Sequence, residues 1–534
     1  MKFEKGKQFI IGCTALMSVA SCAKKLDIYP TNDLTPATTY STAAGYKSVL
    51  AKVYGGMATT GNVGPAGASD IQGLDEGSQS PFIRGFFNAQ ELPTEEAIVS
   101  WDDQTIKDFH ALRWTSSDPF LLGLYSRLVY NITIGNEYLR ESTDEKLAGR
   151  NITGTAAEDI KKSKAEVRFL RAFNYWALLD LFGKSTFITE EDVIGTALPR
   201  QIERPELFDY IESELKAIET DLAPAKTIEY GRVDQAAAWA LLARLYLNAE
   251  VYTGAAKYTE AITYAKKVID AGYVLKSGYP KLFMADNDKQ RDEFIYAINC
   301  DGLRTQSFGN TSFLAHAASG DDHAEYGVAA GWAGYRTTKA LVDLFPDPTG
   351  ATDRRSLFKN LDNQTITNVG DFMQGPHVRK WRNVRSDGGQ VSDVKGDFAD
   401  IDFPVFRLPE MYLIYAEAHL RGGSGADAAT ALSYLNKIRY RAYGDSYGPG
   451  NIGLLSSSDL NLQTILDERA REFYWEGLRR TDLVRYNLLT TGSYLWPWKG
   501  GVASGTAVDP KYNIFPVPAT VRTANPNLDQ NTGY

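Results

Sequence analysis

Apolar residues recur at spacings of three and four along much of the chain, which is the pattern of helices that bury one face. The segment 165–182 is apolar on nearly all sides and predicts a helix buried between neighbours. Further helical stripes are predicted near residues 205–222, 233–249, 258–269, 411–418, 428–435 and 462–475. The sequence therefore predicts a protein of the mainly α-helical class.

Small residues lie where these predicted helices would cross one another. Ala236, Ala240 and Ala243 fall within one helix, where they allow a neighbouring backbone to approach closely. Successive helices that pair through short connections are typical of tetratricopeptide-like repeats, although the spacing is too irregular for a pure repeat protein. We expect one helical domain over residues 46–534, with helical repeats at about 160–275 and 405–480.

The helical pattern lapses between about residues 278 and 404. This stretch is rich in Gly, Asp and Asn and contains short strand-like runs such as Phe294–Ile298. Long loop-rich segments of compact proteins are often where binding occurs. We expect a loop-rich insertion that carries part of a binding site.

The N-terminus predicts an export signal that ends in a lipid anchor. Three lysines precede the apolar run Phe9–Val19, whose length of about eleven residues suits a signal peptide and is too short to span a bilayer. The following Val19–Cys22 is similar to a lipobox, in which the cysteine receives a diacylglycerol. Residues 1–21 are thus predicted to be the signal, Cys22 the lipidated residue, and 22–45 an extended arm. The alternative is an ordinary secreted protein with a free cysteine.

Composition excludes several other classes of protein. Cys13 lies in the predicted signal and Cys22 would be lipidated, so Cys300 has no partner for an intramolecular disulfide or a cysteine-based zinc cluster. The net charge is −9, or −11 once the signal is removed, and no basic block indicates a nucleic-acid partner. No later apolar run reaches the roughly eighteen residues of a transmembrane helix. The lipid anchor is therefore the expected contact with a membrane.

Short motifs for catalysis or metal binding fit only superficially. Gly444–Gly448 matches G-x-S-x-G, but a helical pattern precedes it where a nucleophile elbow needs a strand. Gly183–Thr186 resembles the end of a phosphate-binding loop, but it follows a helix instead of opening one. The His/Asp cluster at 316–323 could ligate a metal, although a polar loop is the simpler interpretation. Adjacent carboxylates such as Asp102 and Asp103 rarely form the facing pair of a glycosidase. We predict a non-enzyme.

Several long segments contain no recognisable catalytic or metal-binding motif but resemble segments of a known protein family. They are Arg168–Lys184 (RFLRAFNYWALLDLFGK), Gly231–Ala249 (GRVDQAAAWALLARLYLNA), Phe403–Ala418 (FPVFRLPEMYLIYAEA), Glu468–Tyr486 (ERAREFYWEGLRRTDLVRY), the start Cys22–Pro30 and the ending Phe515–Tyr534. Together they resemble the SusD/RagB family of Bacteroidetes nutrient-uptake lipoproteins, over essentially the whole mature chain. The resemblance implies a helical, tetratricopeptide-containing lipoprotein on the outer face of the outer membrane. It also implies a SusC-like TonB-dependent transporter as partner, to which this protein delivers captured glycan as a lid.

The resemblance is strongest to the starch-binding member of that family, in Gly73–Gln104, Lys281–Asp288 and Tyr494–Gly505. Transferring its glycan site residue by residue gives Arg84, Trp101, Gln104, Phe308 and Trp332. Phe308 stands where the family has a stacking tyrosine, and Gln104 where it has an asparagine, so a hydroxyl is lost and an amide lies one methylene further out. The implied ligand is starch or maltooligosaccharide. A different glycan (another glucan, levan or a host glycan) is the alternative, and a lipid-anchored glycoside hydrolase is the second alternative.

Elementary chemistry is consistent with such a site. A pyranose ring has an apolar C–H face that flat aromatic side chains cover, and a hydroxyl rim that Arg and amide side chains bind. Aromatic side chains set in an arc favour a curved ligand such as an α-1,4-glucan. No cofactor is required, but the resemblance implies a structural calcium ion held by Asp288 and Asp402, since Ca²⁺ prefers oxygen ligands. A simple polar turn at 286–288 is the alternative.

Overall fold

The computed structural model describes residues 35–534 with the exception of 66–68, 193–194, 196, 445–447 and 449–451. The predicted signal peptide, Cys22 and the arm up to residue 34 lie outside the described residues, as does the centre of the G-x-S-x-G segment. Among the described helices, none combines the length and the apolar character needed to cross a membrane.

Helices dominate the described part of the chain, as the sequence predicts. The α-helices are Pro36–Thr39, Ala43–Gly55, Phe82–Glu91, Lys107–His110, Pro119–Glu141, Asp144–Gly149, Gly154–Leu181, Arg204–Ile218, Gln235–Leu247, Ala249–Thr253, Tyr258–Asp270, Thr311–Ala318, His323–Tyr326, Lys339–Val342, Leu408–Leu420, Ala428–Tyr443, Leu462–Phe473, Arg479–Arg485 and Ala519–Ala524. Single 3₁₀ turns lie at Tyr279–Phe283, Asn287–Gln290, Leu361–Asn363, Ser457–Asp459, Lys499–Gly501 and Pro510–Asn513. Strands are short and lie at Ile98–Val99, Ser185–Phe187, Arg200–Ile202, Phe294–Ile298, Tyr335–Arg336, Phe358–Lys359, His377–Val378 and Phe403–Arg407.

The long helices form a stack in which most packed pairs are neighbours in sequence, whereas 258–270 and 408–420 meet from opposite sides of the insertion. The packed pairs are 119–141 with 154–181, 154–181 with 204–218, 235–247 with 258–270, 258–270 with 408–420, and 408–420 with 428–443. Ala236, Ala240 and Ala243 are fully buried, as expected for residues at helix crossings. The stretch 165–182 is buried throughout apart from Arg168, which confirms the helix predicted from its all-round apolar pattern. The repeat-like helical architecture is thereby confirmed.

Two antiparallel strand pairs join the insertion to the rest of the protein. Phe294–Ile298 pairs with Phe403–Arg407, which closes the insertion at its base. Ile98–Val99 pairs with Tyr335–Arg336, with Ile98 opposite Arg336. The second pair brings the segment just before Trp101 beside the segment just after Trp332, and this positions the candidate site.

The structure differs from the sequence-based expectations in three places. The arm is not extended up to residue 45, because Thr35 and Thr42 cap the helices Pro36–Thr39 and Ala43–Gly55 by accepting from backbone N–H groups. The helix expected at 462–475 ends at Phe473, since Tyr474 has an extended ψ of 138° and Trp475 then adopts a positive φ of 63°. The insertion contains the fully buried helix Thr311–Ala318, which Asn310 caps.

Buried ion pairs connect the insertion with the C-terminal helices. The Arg407 guanidinium lies 2.9 Å from a Glu293 oxygen and 2.8 Å from Glu472 and Glu476 oxygens. Arg355 lies 2.8 Å from Asp353 and 2.6 Å from Glu468, and these three side chains are fully buried. Buried charges of this kind depend on their partners, because an unpaired charge in the interior is costly.

Candidate functional site

A cleft of about 490 Å³ opens between the N-terminal segment around Trp101 and the insertion. It is lined by Arg84, Ser100, Trp101, Asp102, Asp103, Trp332, Gly370 and Phe372. Its volume lies within the range of roughly 300–1,000 Å³ that is usual for small-ligand sites. The structure therefore brings three of the five predicted glycan-binding residues, Arg84, Trp101 and Trp332, to one cavity.

The position of Trp101 depends on the strand that precedes it and on a glycine opposite. The Ser100 N–H donates to the Gly334 carbonyl at 2.9 Å. Gly334 has a φ of +94°, and a Cβ at this position would lie 2.2 Å from the indole nitrogen of Trp101. The indole meets Tyr335 edge to face, with ring centroids 4.9 Å apart. Trp101 is thus fixed along one side while its half-buried ring lines the cleft.

Trp332 is supported from behind by a histidine ring. The imidazole of His316 stacks on Trp332 with centroids 4.6 Å apart and an interplanar angle of 20°. The ring nitrogens of His316 lie 2.6 Å from the Ala330 carbonyl oxygen and 3.1 Å from the Asp397 carbonyl oxygen. Burial lowers the pKa of His316, while the carbonyl oxygens that face its ring nitrogens act in the opposite direction. His316 therefore acts as a fixed flat backing for Trp332.

The polar side chains at 316–323, considered above as possible metal ligands, have other partners in the structure. His316 is engaged with carbonyl oxygens, the Nδ1 of His323 lies 2.9 Å from the Val328 carbonyl oxygen, and Asp322 pairs with Lys359 at 2.8 Å. In the described ranges no three His, Cys, Asp or Glu side chains gather as metal ligands would.

Arg84 places a buried cation at the base of the cleft. Its side chain is nearly inaccessible, and its Nη1 donates to the Gly77 carbonyl at 2.9 Å. The guanidinium lies over the ring of Phe313 at 4.7 Å and over Trp101 at 5.4 Å. The Nε–H is buried without a hydrogen-bond partner among the described residues. Burial lowers the pKa of Arg84, but an arginine stays protonated at neutral pH. The group can therefore donate hydrogen bonds to ligand hydroxyls.

Phe308 and Gln104 lie at the edge of the cleft and do not line the cavity. The ring of Phe308 is 6.1 Å from that of Trp332, tilted by 55°, and 5.0 Å from that of Phe398. Gln104 is exposed, and its side-chain oxygen accepts from the Gln79 amide at 3.4 Å. Gly77, which accepts from Arg84, also lies against Phe308. The turn at residues 77–79 thus contacts three of the five predicted binding residues.

Some residues that line the cleft were not predicted from the sequence. Ser100, Gly370 and Phe372 were not predicted to line it, and Asp102 and Asp103 were considered only as a catalytic pair. Asp102 is almost fully exposed and pairs with Lys107. The sequence marks Phe372 only as an aromatic residue within a Gly/Asp/Asn-rich stretch, which does not indicate that it lines a cleft.

The predicted calcium ligands lie at the base of the insertion, away from the cleft. Asp402 is buried, and its two carboxylate oxygens accept from the Cys300 N–H and the Tyr230 hydroxyl, each at 2.8 Å. Burial raises the pKa of Asp402 to about 7, and the negative charge of Asp288 adds to this effect. Asp288 is exposed. The pair alone is an incomplete set for an ion that takes about six to eight oxygens, so calcium at Asp288 and Asp402 stays a prediction.

A second, larger cavity of about 1190 Å³ lies against the Ala43–Gly55 helix. Its lining includes Tyr54, Glu166 and Arg232, and the last two form an ion pair. None of the predicted glycan-binding residues lines this cavity.

Comparison with known proteins gives consistent matches. The SusD family model matches residues 348–534. The starch-binding protein SusD of Bacteroides thetaiotaomicron is 35% identical over the whole of both chains. The SusD-like protein P25 of Formosa agariphila is 23% identical over 99% of this chain and the whole of its own.

Solved structures show the same fold. A SusD superfamily protein from Bacteroides vulgatus has a TM-score of 0.69 at 20% identity, covering 92% of this chain and 99% of its own. Surface glycan-binding protein A from Bacteroides thetaiotaomicron, in complex with laminarihexaose, has a TM-score of 0.67 at 17% identity, covering 91% of this chain and 99% of its own.

Proposed function

Since the chain belongs to the SusD family of glycan-binding proteins, we propose that it captures starch or maltooligosaccharides at the cell surface without cleaving them. The observation that carries the proposal is the cleft in which Arg84, Trp101 and Trp332 come together. The 35%-identical relative is named as a starch-binding protein, and its resemblance extends over both full chains. The geometry of the cleft and the full-length resemblance thus support the same proposal.

The cleft has the two kinds of surface that a sugar requires. The half-buried rings of Trp101 and Trp332 provide flat apolar faces for the C–H side of pyranose rings. Arg84, which lines the cavity, provides guanidinium N–H donors for the hydroxyl rim. Phe308 is tilted by 55° relative to Trp332, so the two rings do not share a plane. A chain that curves from the cavity towards Phe308 at its edge, as an α-1,4-glucan can, would contact both rings.

We further propose that the protein is anchored in the outer membrane through Cys22 and delivers its glycan to a SusC-like TonB-dependent transporter. The lipobox-like Val19–Cys22 and membership of the family support this part of the proposal. Co-purification of the transporter with the tagged protein from detergent-solubilised outer membranes tests it. We expect a Cys22→Ser variant to appear in the soluble fraction, whereas its retention in the membrane would argue against the anchor.

We also propose that Asp288 and Asp402 hold a structural calcium ion. We expect millimolar Ca²⁺ to raise the melting temperature of the EDTA-treated protein and to leave that of Asp402→Asn unchanged, because the variant lacks one carboxylate. An equal shift in both proteins would place the bound ion elsewhere.

A second candidate ligand is a glucan other than starch. The substitutions at Phe308 and Gln104 change one hydroxyl and the reach of one amide relative to the family's starch site. A structural neighbour is solved with laminarihexaose. These observations favour a direct comparison of glycans over an assumption of starch.

Native gel electrophoresis with embedded polysaccharide makes this comparison. Amylopectin is expected to retard the protein, whereas laminarin, levan and mucin glycans are expected to leave it unretarded. Trp101→Ala combined with Trp332→Ala should abolish retardation, while Leu303→Ala, an exposed residue of the insertion outside the cleft, should preserve it. Absence of retardation by amylopectin would refute the starch proposal, and release of reducing sugar would refute the non-catalytic role.

A further inference from the structure

A loop of residues 366–375, here called the Phe372 loop, forms a third wall of the cleft. Gly370 and Phe372 line the cavity together with Trp101 and Trp332. The Phe372 side chain is 40% exposed and contributes to the lining of the cavity. Its neighbour Met373 is 69% exposed but does not line the cleft. Both residues are therefore exposed, but of the two only Phe372 lines the cavity.

A single buried arginine holds this loop in place. Arg336 is 1% exposed and lies on the strand that pairs with Ile98. Its guanidinium donates to the carbonyl oxygens of Val369, Asp371 and Gln374. Burial lowers the pKa of Arg336 to about 10, so the side chain is still a cation at neutral pH. The hydrogen bonds of a charged donor to three carbonyl groups fix the backbone on both sides of Phe372.

Further hydrogen bonds restrain the rest of the loop. The Gln374 side-chain oxygen accepts from the backbone N–H groups of Thr367 and Asn368 at 2.7 and 3.0 Å. The indole nitrogen of Trp498 donates to the Ile366 carbonyl at 2.9 Å, and Asn363 donates to the Met373 carbonyl at 2.9 Å. The loop is therefore bound at its start, its middle and its end, and the exposed Phe372 ring belongs to a fixed backbone.

The Phe372 loop is also tied to the other walls of the cleft. The Ser100 hydroxyl lies 3.5 Å from the Asp371 carbonyl oxygen, directly before Trp101 in the chain. Arg336 itself is four residues from Trp332 in the same segment. One strand pair thus sets the relative position of the two tryptophans and of Phe372.

We propose that Phe372 is a third aromatic contact in the cleft that determines which glycans bind, and that Arg336 is the positioning residue that holds it there. This rests on the proposed function. Aromatic residues from three separate segments line this one cavity, so a bound glycan has to fit against three rings and not only two. The arrangement selects a glucan that curves within the cleft, as α-1,4-linked glucose does, over a straighter chain.

Isothermal titration with maltoheptaose, β-cyclodextrin and laminarihexaose tests the role of Phe372. Phe372→Ala is expected to weaken binding of maltoheptaose and β-cyclodextrin by about tenfold, which corresponds to about 1.4 kcal/mol. Phe372→Tyr, which keeps the ring, should bind within about twofold of the parent. Met373→Ala is the matched control and should bind as the parent does. Unchanged affinity in Phe372→Ala, or an equal loss in Met373→Ala, would overturn the proposal.

A double-mutant cycle tests the positioning role of Arg336. If Arg336 acts through Phe372, Arg336→Gln weakens maltoheptaose binding, and adding Phe372→Ala to it causes little further loss. Additive losses would show that Arg336 does not act through Phe372. Arg336→Lys, which can still donate to carbonyl oxygens, should restore part of the affinity. If Arg336→Gln does not fold, the maltoheptaose affinity of Arg336→Lys is the test. An affinity between those of the parent and Phe372→Ala supports the positioning role, and an affinity outside that range contradicts it.

The failure of this inference is distinguishable from that of the proposed function. A parent protein that binds amylopectin and maltoheptaose while Phe372→Ala does the same refutes the inference alone. A parent that binds none of the glucans refutes both. A parent that binds laminarihexaose in preference to maltoheptaose refutes the selection of a curved chain.

Discussion

Replacing Arg84 with methionine removes the buried cation of the cleft while preserving the aliphatic stem of the side chain. The stem can still pack against Phe313 and Trp101, over which the guanidinium lies at 4.7 and 5.4 Å. The donors to Gly77 and to the ligand are lost. The substitution therefore separates hydrogen bonding from packing.

The expected loss of affinity follows from the hydrogen bonds of a charged donor. Such bonds are worth about 1.5–3 kcal/mol each, so the loss of one to the glycan corresponds to a decrease in affinity of roughly 10- to 150-fold. Folding stability should change much less, by about 1 kcal/mol or below, because removing a buried cation also removes its desolvation cost. Burial is the main cause that lowers the pKa of Arg84, which shows that this cost is present.

Calorimetric titration with maltoheptaose and urea unfolding of the same preparations measure the two quantities. Arg304→Met is the matched control, since this arginine is 85% exposed and lies outside the cleft. Affinity within about twofold of the parent in Arg84→Met would refute the assigned role of the guanidinium. A large loss of stability with unchanged affinity would show that Arg84 serves only the fold.

Three further predictions concern the supports of the cleft and the core. Gly334→Ala should abolish retardation by amylopectin, because its Cβ would lie 2.2 Å from the indole nitrogen of Trp101, and retained binding would contradict this. Arg355→Ala should lower the free energy of unfolding in urea by about 3–5 kcal/mol because it leaves buried carboxylates unpaired, whereas Arg304→Ala at an exposed pair should change it by about 0.5 kcal/mol or less. Burial raises the pKa of Glu91 to about 7 and that of its neighbour Glu96 well above the usual range, so the folded protein favours a proton on this pair. Stability relative to Glu91→Gln should therefore fall by about 1–3 kcal/mol as the pH rises from 4.5 to 7, and a difference that stays constant with pH would contradict the shift.

The helical part of the fold could be predicted because its signal is local. The stretch 165–182 is apolar on nearly all sides, which predicts a buried helix, and this is confirmed. The end of the helix at Phe473 could not be predicted, because it depends on the positive φ of Trp475. The Trp475 backbone N–H and indole N–H are bound by Glu96, a residue distant in sequence. Tertiary contacts override local pattern at this point.

Some residues of the candidate site could likewise be predicted from the sequence, and others could not. Trp101 and Trp332 were predicted through family resemblance, and the structure places them in one cleft. The burial of Arg84 and the backing of Trp332 by His316 have no sequence signature, since both arise from packing between separate segments. Phe372 lies in a loop without periodicity, and its position depends on Arg336 in a distant strand. Its contribution to the cleft could be recognised only in three dimensions.

A crystal structure with maltoheptaose bound tests the central claim most directly. We expect continuous glycan density in the cleft, with pyranose faces against Trp101 and Trp332 and a hydroxyl within hydrogen-bond distance of Arg84. Density in the larger cavity beside Tyr54 and Arg232, with the cleft free of sugar, would contradict it.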